Sequence, residues 1–336
     1  MNILPAFSFP TEIVVIDDNI SQLKSLNINF SESLNIFSFF DDPTKALKYL
    51  NNNPPPRNYR DDISNNSLPK ETDVQRISFD LKRIHQLKNN NDRFSTISAI
   101  IADYRMPSLN GVDLLSSVKF NSRNLLLTAE ADEMIAVKAF NKAIINQYIK
   151  KDAFDKIISI GNFIEEASRQ YFIDATKFII DDLQAVEVRP KAYLDPVFIK
   201  YFKTLLKTKN IVEYYLLDTI GSFLLITGNG ESYTLNVQCK DQALFFQENI
   251  DEISPQILSP EKKNKIKEYK QILCYSSYEE EPYPQESLWG EYFKDSIEIK
   301  GKDSFFVSLQ PNLTSNPITI SSTFHKYKNT HIPFKL

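Results

Sequence analysis

The stretch Ile100-Ile101-Ala102-Asp103-Tyr104-Arg105-Met106-Pro107, with Gly111 shortly after it, decides the predicted fold. Its apolar residues predict a buried strand that ends on the single carboxylate of Asp103. A turn follows, since Met106, Pro107 and Gly111 come three, four and eight residues after Asp103. Open parallel sheets bind ligands at the carboxyl ends of their strands. Asp103 is therefore a candidate site residue.

Three further predicted strands also end on polar side chains. In chain order these are 11–16 before Asp17-Asp18, 125–127 before Thr128-Ala129, and 146–149 before Lys150-Lys151-Asp152. Helical patterns lie between the runs, at about 20–28, 43–50, 111–119 and 132–143. Strands that alternate with helices predict an α/β fold with a doubly wound parallel sheet.

The adjacent acids Asp17 and Asp18 predict a cation site. Two neighbouring carboxylates repel each other, and a positive group between them favours the charged form of both. Carboxylate oxygens suit Mg²⁺, which keeps several waters and also binds phosphate oxygens. An ordinary surface turn is the alternative interpretation of this pair.

With these parts in order, residues 11–165 resemble the receiver domain of two-component response regulators, a five-stranded flavodoxin-like fold. The receiver domain is therefore expected to occupy residues 1–165. The residues that carry the resemblance are Asp17, Asp18, Asp103, Met106-Pro107, Gly111, Thr128-Ala129, Tyr148 and Lys151. Asp152 departs from the pattern, because the family has Pro after its lysine. The active lysine is therefore Lys151 or Lys150, and the position of Tyr148, three residues earlier, favours Lys151.

The resemblance implies a phosphoryl-transfer site. Asp103 would take a phosphoryl group from a phosphohistidine of a sensor histidine kinase or a phosphotransfer protein. Asp17, Asp18, Asp103 and the backbone carbonyl of Arg105 would hold Mg²⁺. Thr128 and Lys151 would contact phosphoryl oxygens, and Thr128 and Tyr148 would act as the switch. Arg105 and Glu130 flank the site, so an ion pair between them is possible.

Residues 51–95 interrupt the receiver pattern. Asn51 to Pro56 is loop or polyproline chemistry, and apolar spacing over about 77–87 predicts an extra helix. The insertion is either a tolerated surface loop or a docking arm near the phosphorylation face. His85 on this helix is predicted to be a surface residue.

A helix longer than the family's fifth helix is predicted from Ala153, with a linker that ends near Arg189-Pro190. Its apolar seam (Ile157, Ile160, Ile164, Ala167 and Tyr171, resumed at Phe178) has coiled-coil spacing. Packing onto the receiver core explains part of the same seam. Dimerisation is expected on phosphorylation, through this helix and the face formed by the fourth helix, fifth strand and fifth helix.

Composition limits the remaining possibilities. The chain has 336 residues and a formal net charge of −4, which predicts two domains and no strongly electrostatic partner. Cys239 and Cys274 are too few for a disulfide framework or a metal cluster. The sequence shows no signal peptide and no membrane span, so a cytoplasmic protein is expected.

Residues 190–336 are predicted to form an α+β output domain with an antiparallel sheet. Strands are expected at 212–217, 222–227, 233–237, 296–299, 304–309 and 317–324, and helices at 196–208 and within 241–273. Gly228-Asn229-Gly230 reads as a hairpin turn, since no Lys-Ser/Thr follows it. Aromatic residues of 275–293 could line a partner surface or a small-ligand site.

DNA binding by this domain is disfavoured. Arg189 is the last arginine, and 17 Lys face 18 acids from Lys191 onward, so no basic excess exists for phosphate contacts. The Lys262–Lys270 cluster is predicted to be a solvated helix face. The chain looks similar to atypical regulators of bacterial quorum-sensing circuits. Phosphorylation and dephosphorylation of the receiver is the only chemistry expected. A receiver-gated enzyme, a nucleotide- or small-ligand-binding domain, a DNA-binding transcription regulator and a phosphate sink stay open as alternatives.

Overall fold

The computed structural model describes residues 3–31, 33–52, 59–63, 80–128, 132–150, 157–186, 188–253, 258–274, 289–312 and 322–331. The chain divides into two compact units. The parallel unit comprises Phe9–Asn58, Asn91–Ala175 and Lys326–Leu336. The antiparallel unit comprises Met1–Ser8, Tyr59–Asn90 and Thr176–His325.

The strands are, in chain order, β1 (Phe7–Ser8), β2 (Glu12–Ile16), β3 (Ile36–Phe40), β4 (Ile97–Asp103), β5 (Arg123–Thr128), β6 (Gln147–Lys150), β7 (Ile211–Leu216), β8 (Phe223–Thr227), β9 (Ser232–Cys239), β10 (Gln271–Leu273), β11 (Phe293–Asp295), β12 (Ile297–Lys300) and β13 (Ser304–Pro311). The helices are α1 (Ile20–Asn29), α2 (Pro43–Asn52), α3 (Tyr59–Ile63), α4 (Leu81–Gln86), α5 (Gly111–Ser116), α6 (Glu133–Asn141), α7 (Ile157–Val186), α8 (Pro196–Thr208), α9 (Lys240–Ile253), α10 (Pro260–Lys267), α11 (Trp289–Tyr292) and α12 (Phe324–Thr330).

The parallel unit is built on a five-stranded sheet in the order β3-β2-β4-β5-β6. Ile16 pairs with Phe40 on one side and Ala102 on the other, and Asp103 pairs with Leu127. All four pairings are parallel, so the carboxyl ends of the strands lie along one edge. The predicted flavodoxin-like receiver fold is confirmed. The strand β3 was missing from the runs named in the sequence.

Apolar residues cover both faces of this sheet, which explains why its strands lack polar alternation. Ile13 and Val15 of β2 share a buried cluster with residues of α1 and α7. Val14 and Ile16 point to the other face, where the cluster includes residues of α2, α5 and α6. Helices on both faces make the sheet doubly wound, as predicted.

The antiparallel unit contains a six-stranded sheet in the order β1-β7-β8-β9-β13-β12, and a separate pair formed by β10 and β11. All of its pairings are antiparallel. The predicted antiparallel α+β architecture is confirmed. The hairpin turn at 228–230 is also present, and Gly230 in it has a φ of +92°. Two details of the prediction are wrong: Gln271–Leu273 is a strand where a helix was expected, and Phe324 begins a helix where a strand was expected to end.

Helix α8 packs through its aromatic residues on this sheet. The Phe198 ring lies 6.1 Å from that of Phe305, and the Phe202 ring lies 4.7 Å from that of Phe223. Asp195 caps the helix, because its carboxylate accepts hydrogen bonds from the backbone N–H groups of Val197 and Phe198. It also accepts one from Lys302 in the turn between β12 and β13, which ties the helix to the sheet.

The insertion contributes to the antiparallel unit. Helix α4 packs against β7, and Tyr59 of α3 meets Phe7 of β1 edge-on at 5.0 Å. The described part of the insertion therefore belongs to the antiparallel unit. The sequence had predicted a surface loop or a docking arm on the receiver domain instead. His85 is buried within this packing, so its assignment to the surface is wrong.

The two units differ from the predicted domain limits of 1–165 and 190–336. Residues 1–8 belong to the antiparallel unit, because β1 pairs with β7 through Phe7 and Tyr215. Arg60 and Arg83 of the insertion belong to it as well, so the folded unit is not free of arginine. The Arg60 guanidinium lies 5.4 Å from the centre of the Phe178 ring.

Helix α7 extends over Ile157–Val186, close to the predicted segment of 153–189. Ile164, Ala167 and Tyr171 of its apolar seam are buried within the chain, and Ile164 and Ala167 belong to the core of the parallel unit. This part of the seam is therefore used by the fold itself, while the side chains of Ile157 and Ile160 lie outside the described part. No helix among the described residues is long and apolar enough to cross a membrane.

Candidate functional site

Three carboxylates meet at the carboxyl edge of the parallel sheet. Asp17 and Asp18 follow β2, and Asp103 ends β4, the neighbouring strand. One carboxylate oxygen from each residue lies within 4.8 Å of the others. Asp17 and Asp103 are buried, whereas Asp18 is exposed. The sequence-predicted acids are thus brought together in one cluster that opens to solvent on the Asp18 side.

This donor set fits a hard divalent cation. Three carboxylates in such proximity repel one another unless a cation neutralises them, and Mg²⁺ prefers oxygen ligands of this kind. The Asn19 N–H donates a 2.8 Å hydrogen bond to Asp17 Oδ1, which orients that carboxylate at the start of α1. The role predicted for the Arg105 carbonyl stays a prediction.

The turn after Asp103 is held by close backbone packing. Tyr104 N–H donates to the carbonyl of Leu127 in β5, and Gly111 N–H donates back to the carbonyl of Tyr104. A Cβ atom at Gly111 would lie only 2.3 Å from the carbonyl oxygen of Asp103. Glycine at this position therefore lets α5 begin directly against the strand that carries Asp103.

Thr128 ends β5 and is buried. Its strand neighbour Leu127 pairs with Asp103, so the hydroxyl group belongs to the same sheet edge as the acids. This is the location that the sequence predicted for a group contacting a phosphoryl oxygen. Ala129 and Glu130, which follow it, lie outside the described residues.

Of the two candidate lysines, the structure describes only Lys150. Lys151 lies outside the described residues, whereas Lys150 pairs with Glu133 at an Nζ–Oε2 distance of 3.3 Å. The other oxygen of Glu133 accepts from the hydroxyl of half-buried Tyr148 over 3.4 Å. Lys150 and Tyr148 therefore share one carboxylate at the start of α6, an arrangement that the sequence analysis missed.

Arg105 has a different partner from the one considered. Its Nη2 and Nε atoms lie 2.7 Å from the two oxygens of Asp132, which precedes α6. The hydrogen bond and the charge of Asp132 raise the pKa of Arg105. The pair links the turn after Asp103 to the start of α6. Asp132, four residues after Thr128, was the sequence signal for this ion pair.

Candidate groups of the antiparallel unit do not gather into a comparable cluster in its described part. Cys239 and Cys274 are buried thiols, and burial raises the pKa of Cys274 to about 12. His325 packs on the hairpin turn, with Nδ1 2.7 Å from Asn229 Oδ1. His331 lies in the parallel unit, with Nε2 3.3 Å from Ser38 Oγ. The acidic run 279–281 and the aromatic residues Tyr275, Tyr278 and Tyr283 lie outside the described residues.

With this geometry in view, the chain can be compared with known proteins. No protein-family model matches the sequence, and no curated protein matches it. Among solved structures, the response regulator LqsR of Legionella pneumophila matches 97% of this chain with 95% of its own, at a TM-score of 0.76 and 24% identity. The two chains share one fold over nearly their whole length. The likeness extends through both units.

Isolated receiver domains match the first half. A response regulator receiver domain protein from Clostridium thermocellum matches 48% of this chain with 95% of its own, at 19% identity and a TM-score of 0.30. The receiver domain of the putative response regulator NarL from Mycobacterium tuberculosis matches 48% of this chain with 97% of its own, at 16% identity and a TM-score of 0.31.

Proposed function

We propose that this protein is a response regulator of a phosphorelay, whose phosphoacceptor is Asp103. The observation that carries the proposal is the clustering of Asp17, Asp18 and Asp103 at the carboxyl edge of the parallel sheet, with the hydroxyl of Thr128 at the next strand end. The fold shared with LqsR supports it.

In the proposed reaction, a carboxylate oxygen of Asp103 attacks the phosphorus of a phosphohistidine on a kinase or phosphotransfer protein. The new P–O bond forms as the P–N bond breaks, and the released imidazole nitrogen takes up a proton. Asp18, Asp17 and the Arg105 carbonyl would hold Mg²⁺, which neutralises phosphoryl oxygens when bound. Burial of Asp103 keeps bulk water from the acyl phosphate.

Thr128 would donate its hydroxyl hydrogen to one phosphoryl oxygen, and Lys151 would place its positive charge on another. Phosphorylation adds about 1.5 to 2 negative charges at Asp103. This charge would draw Thr128 inward and give the Tyr148 ring room to turn. Because Tyr148 and Lys150 share Glu133, such a movement would also disturb the start of α6.

The face formed by α6, β6 and α7 is the proposed surface for dimerisation on phosphorylation. Met134, Val137 and Phe140 of α6 are 70%, 38% and 52% exposed. Large apolar side chains exposed at helical spacing favour burial against another protein. The antiparallel unit would act by protein or small-ligand contact, in the cytoplasm and in a circuit of the quorum-sensing type, without reading DNA.

Labelling with acetyl phosphate tests the phosphoacceptor. The full chain is incubated with acetyl phosphate and Mg²⁺, and the phosphorylated fraction is measured on a phosphate-affinity gel. We expect wild type to be labelled, and labelling to stop when EDTA removes Mg²⁺. Asp103→Asn should abolish labelling, and Asp18→Asn should raise the Mg²⁺ concentration that half-maximal labelling needs.

The matched control is Asp113→Asn. Asp113 is an exposed carboxylate of α5, outside the acidic cluster, so its variant should be labelled like wild type. Labelling of Asp103→Asn at the wild-type rate would refute the proposal.

A further inference from the structure

Three lysines lie along one face of α8, in the antiparallel unit. Lys200, Lys203 and Lys207 are spaced by three and four residues, which places them on the same side of the helix. Lys200 and Lys207 are separated by about 10 Å along the axis at the usual helical rise. All three are exposed, and they line a shallow groove of about 370 Å³.

Among the residues that the structure describes, no acid lies within ion-pair distance of the ammonium group of Lys200, Lys203 or Lys207. The cluster on and after α10, which the sequence singled out, behaves differently. Its members Lys263 and Lys267 pair with Asp251, Lys265 with Glu261, and Lys270 with Glu268. Four lysines of the α10 cluster thus have an acidic partner, whereas the three lysines of α8 have none among the described residues.

The groove is not purely polar. Exposed Pro196 lines it together with the lysines and Thr204, whereas Ile199, also in the lining, is buried. Val197, one residue after Pro196, is 45% exposed. A ligand that carries negative charge and also an apolar side chain would match both features.

We propose that this face of α8 binds an acidic peptide segment of a partner protein. The segment would place two or three carboxylates against the lysines and an apolar side chain near Val197. The groove contains lysine and no arginine among its described residues, and an ammonium group donates to a carboxylate without the planar geometry that a guanidinium group imposes. The charged row covers only two helical turns, which is short for a nucleic-acid duplex.

Fluorescence anisotropy of the full-length protein tests this proposal. The probe is a fluorescein-labelled peptide of repeated Glu-Glu-Leu units, titrated at low ionic strength. The variant Lys200→Gln/Lys203→Gln/Lys207→Gln should bind the probe about ten- to a hundredfold more weakly than wild type, from the loss of three charge contacts. Salt should weaken wild-type binding.

The matched control is Lys263→Gln/Lys265→Gln/Lys267→Gln, which removes the same charge from lysines that have acidic partners and should bind like wild type. Circular dichroism checks that both variants are folded. The proposal is overturned when wild type does not bind the probe, or when the two triple variants lose affinity equally. It is also overturned when an unlabelled DNA duplex or vesicles with anionic lipid displace the probe more effectively than the unlabelled peptide.

Discussion

Gly111→Ala is expected to destabilise the parallel unit and slow phosphorylation together. The added Cβ would lie 2.3 Å from the carbonyl oxygen of Asp103, 3.0 Å from its carbonyl carbon and 2.9 Å from Leu126 Cδ1. The first two atoms are backbone of β4, a central strand, and cannot rotate away. The helix must therefore shift by roughly 1 Å or more to restore ordinary contact.

The cost of such overpacking is about 1–3 kcal/mol. Alanine regains up to about 1 kcal/mol of helix propensity, and less at the first residue of a helix, where α5 begins. The expected net loss is about 1–2 kcal/mol in the free energy of unfolding. Displacement of the Asp103 carbonyl should also lower the rate of labelling by acetyl phosphate.

Gly161→Ala is the matched control. Gly161 lies inside α7, and apart from its chain neighbours and the backbone of its own helix, no described atom lies within 4 Å of a Cβ built there. The same chemical change should therefore stabilise the protein by about 0.4–1 kcal/mol, through helix propensity and the unfolded state.

Urea unfolding followed by circular dichroism at helix wavelengths measures both variants against wild type. The urea concentration at the unfolding midpoint should fall for Gly111→Ala and should stay the same or rise for Gly161→Ala. A Gly111→Ala protein as stable as wild type, with an unchanged labelling rate, would refute the packing argument at Asp103.

Three further predictions concern groups with defined surroundings. Burial raises the pKa of Asp195, but the N–H groups of Phe198, Lys302, Val197 and Asp303 outweigh it and the pKa is lowered. Asp195→Ala should therefore lower the free energy of unfolding by about 1–2 kcal/mol at neutral pH. In urea unfolding, this difference from wild type should begin to shrink below about pH 3.9, the pKa of an unfolded Asp, and should vanish below the lowered native pKa of Asp195. Cys274, with its pKa raised to about 12 by burial, should resist iodoacetamide at pH 8 until urea unfolds the chain; mass spectrometry that finds rapid native labelling contradicts this. Asp132→Asn removes the carboxylate that holds Arg105 and frees the guanidinium to approach the phosphoryl group. The half-life of the phosphorylated protein, followed on a phosphate-affinity gel, should therefore lengthen while the melting temperature stays nearly unchanged. A shortened half-life contradicts this prediction.

The parallel unit could be predicted in detail because its signals are local. A strand buried on both faces appears as an unbroken apolar run, and its polar end marks the sheet edge, as at Asp17 and Asp103. The same logic applied to β3, yet Ser38 within Ile36–Phe40 obscured the run. Ser38 is itself fully buried.

Other features depend on contacts between distant residues. Phe7 pairs with Tyr215, and the insertion helix α4 packs on β7; no spacing rule joins segments so far apart in sequence. Likewise, the pairing of Arg105 with Asp132 depends on side-chain reach across a turn. The fold also decides which lysines meet an acid: Lys263, Lys265 and Lys267 of α10 do, and the α8 lysines do not among the described residues.

Chemical mapping of the phosphorylated residue tests the central claim most directly. Borohydride reduces an aspartyl acyl phosphate to homoserine, which peptide mass spectrometry locates in the sequence. After labelling with acetyl phosphate and Mg²⁺, we expect homoserine at position 103 and at no other acid. Homoserine at Asp17 or Asp18, or an unmodified Asp103 in protein that carries a phosphoryl group, would contradict the account.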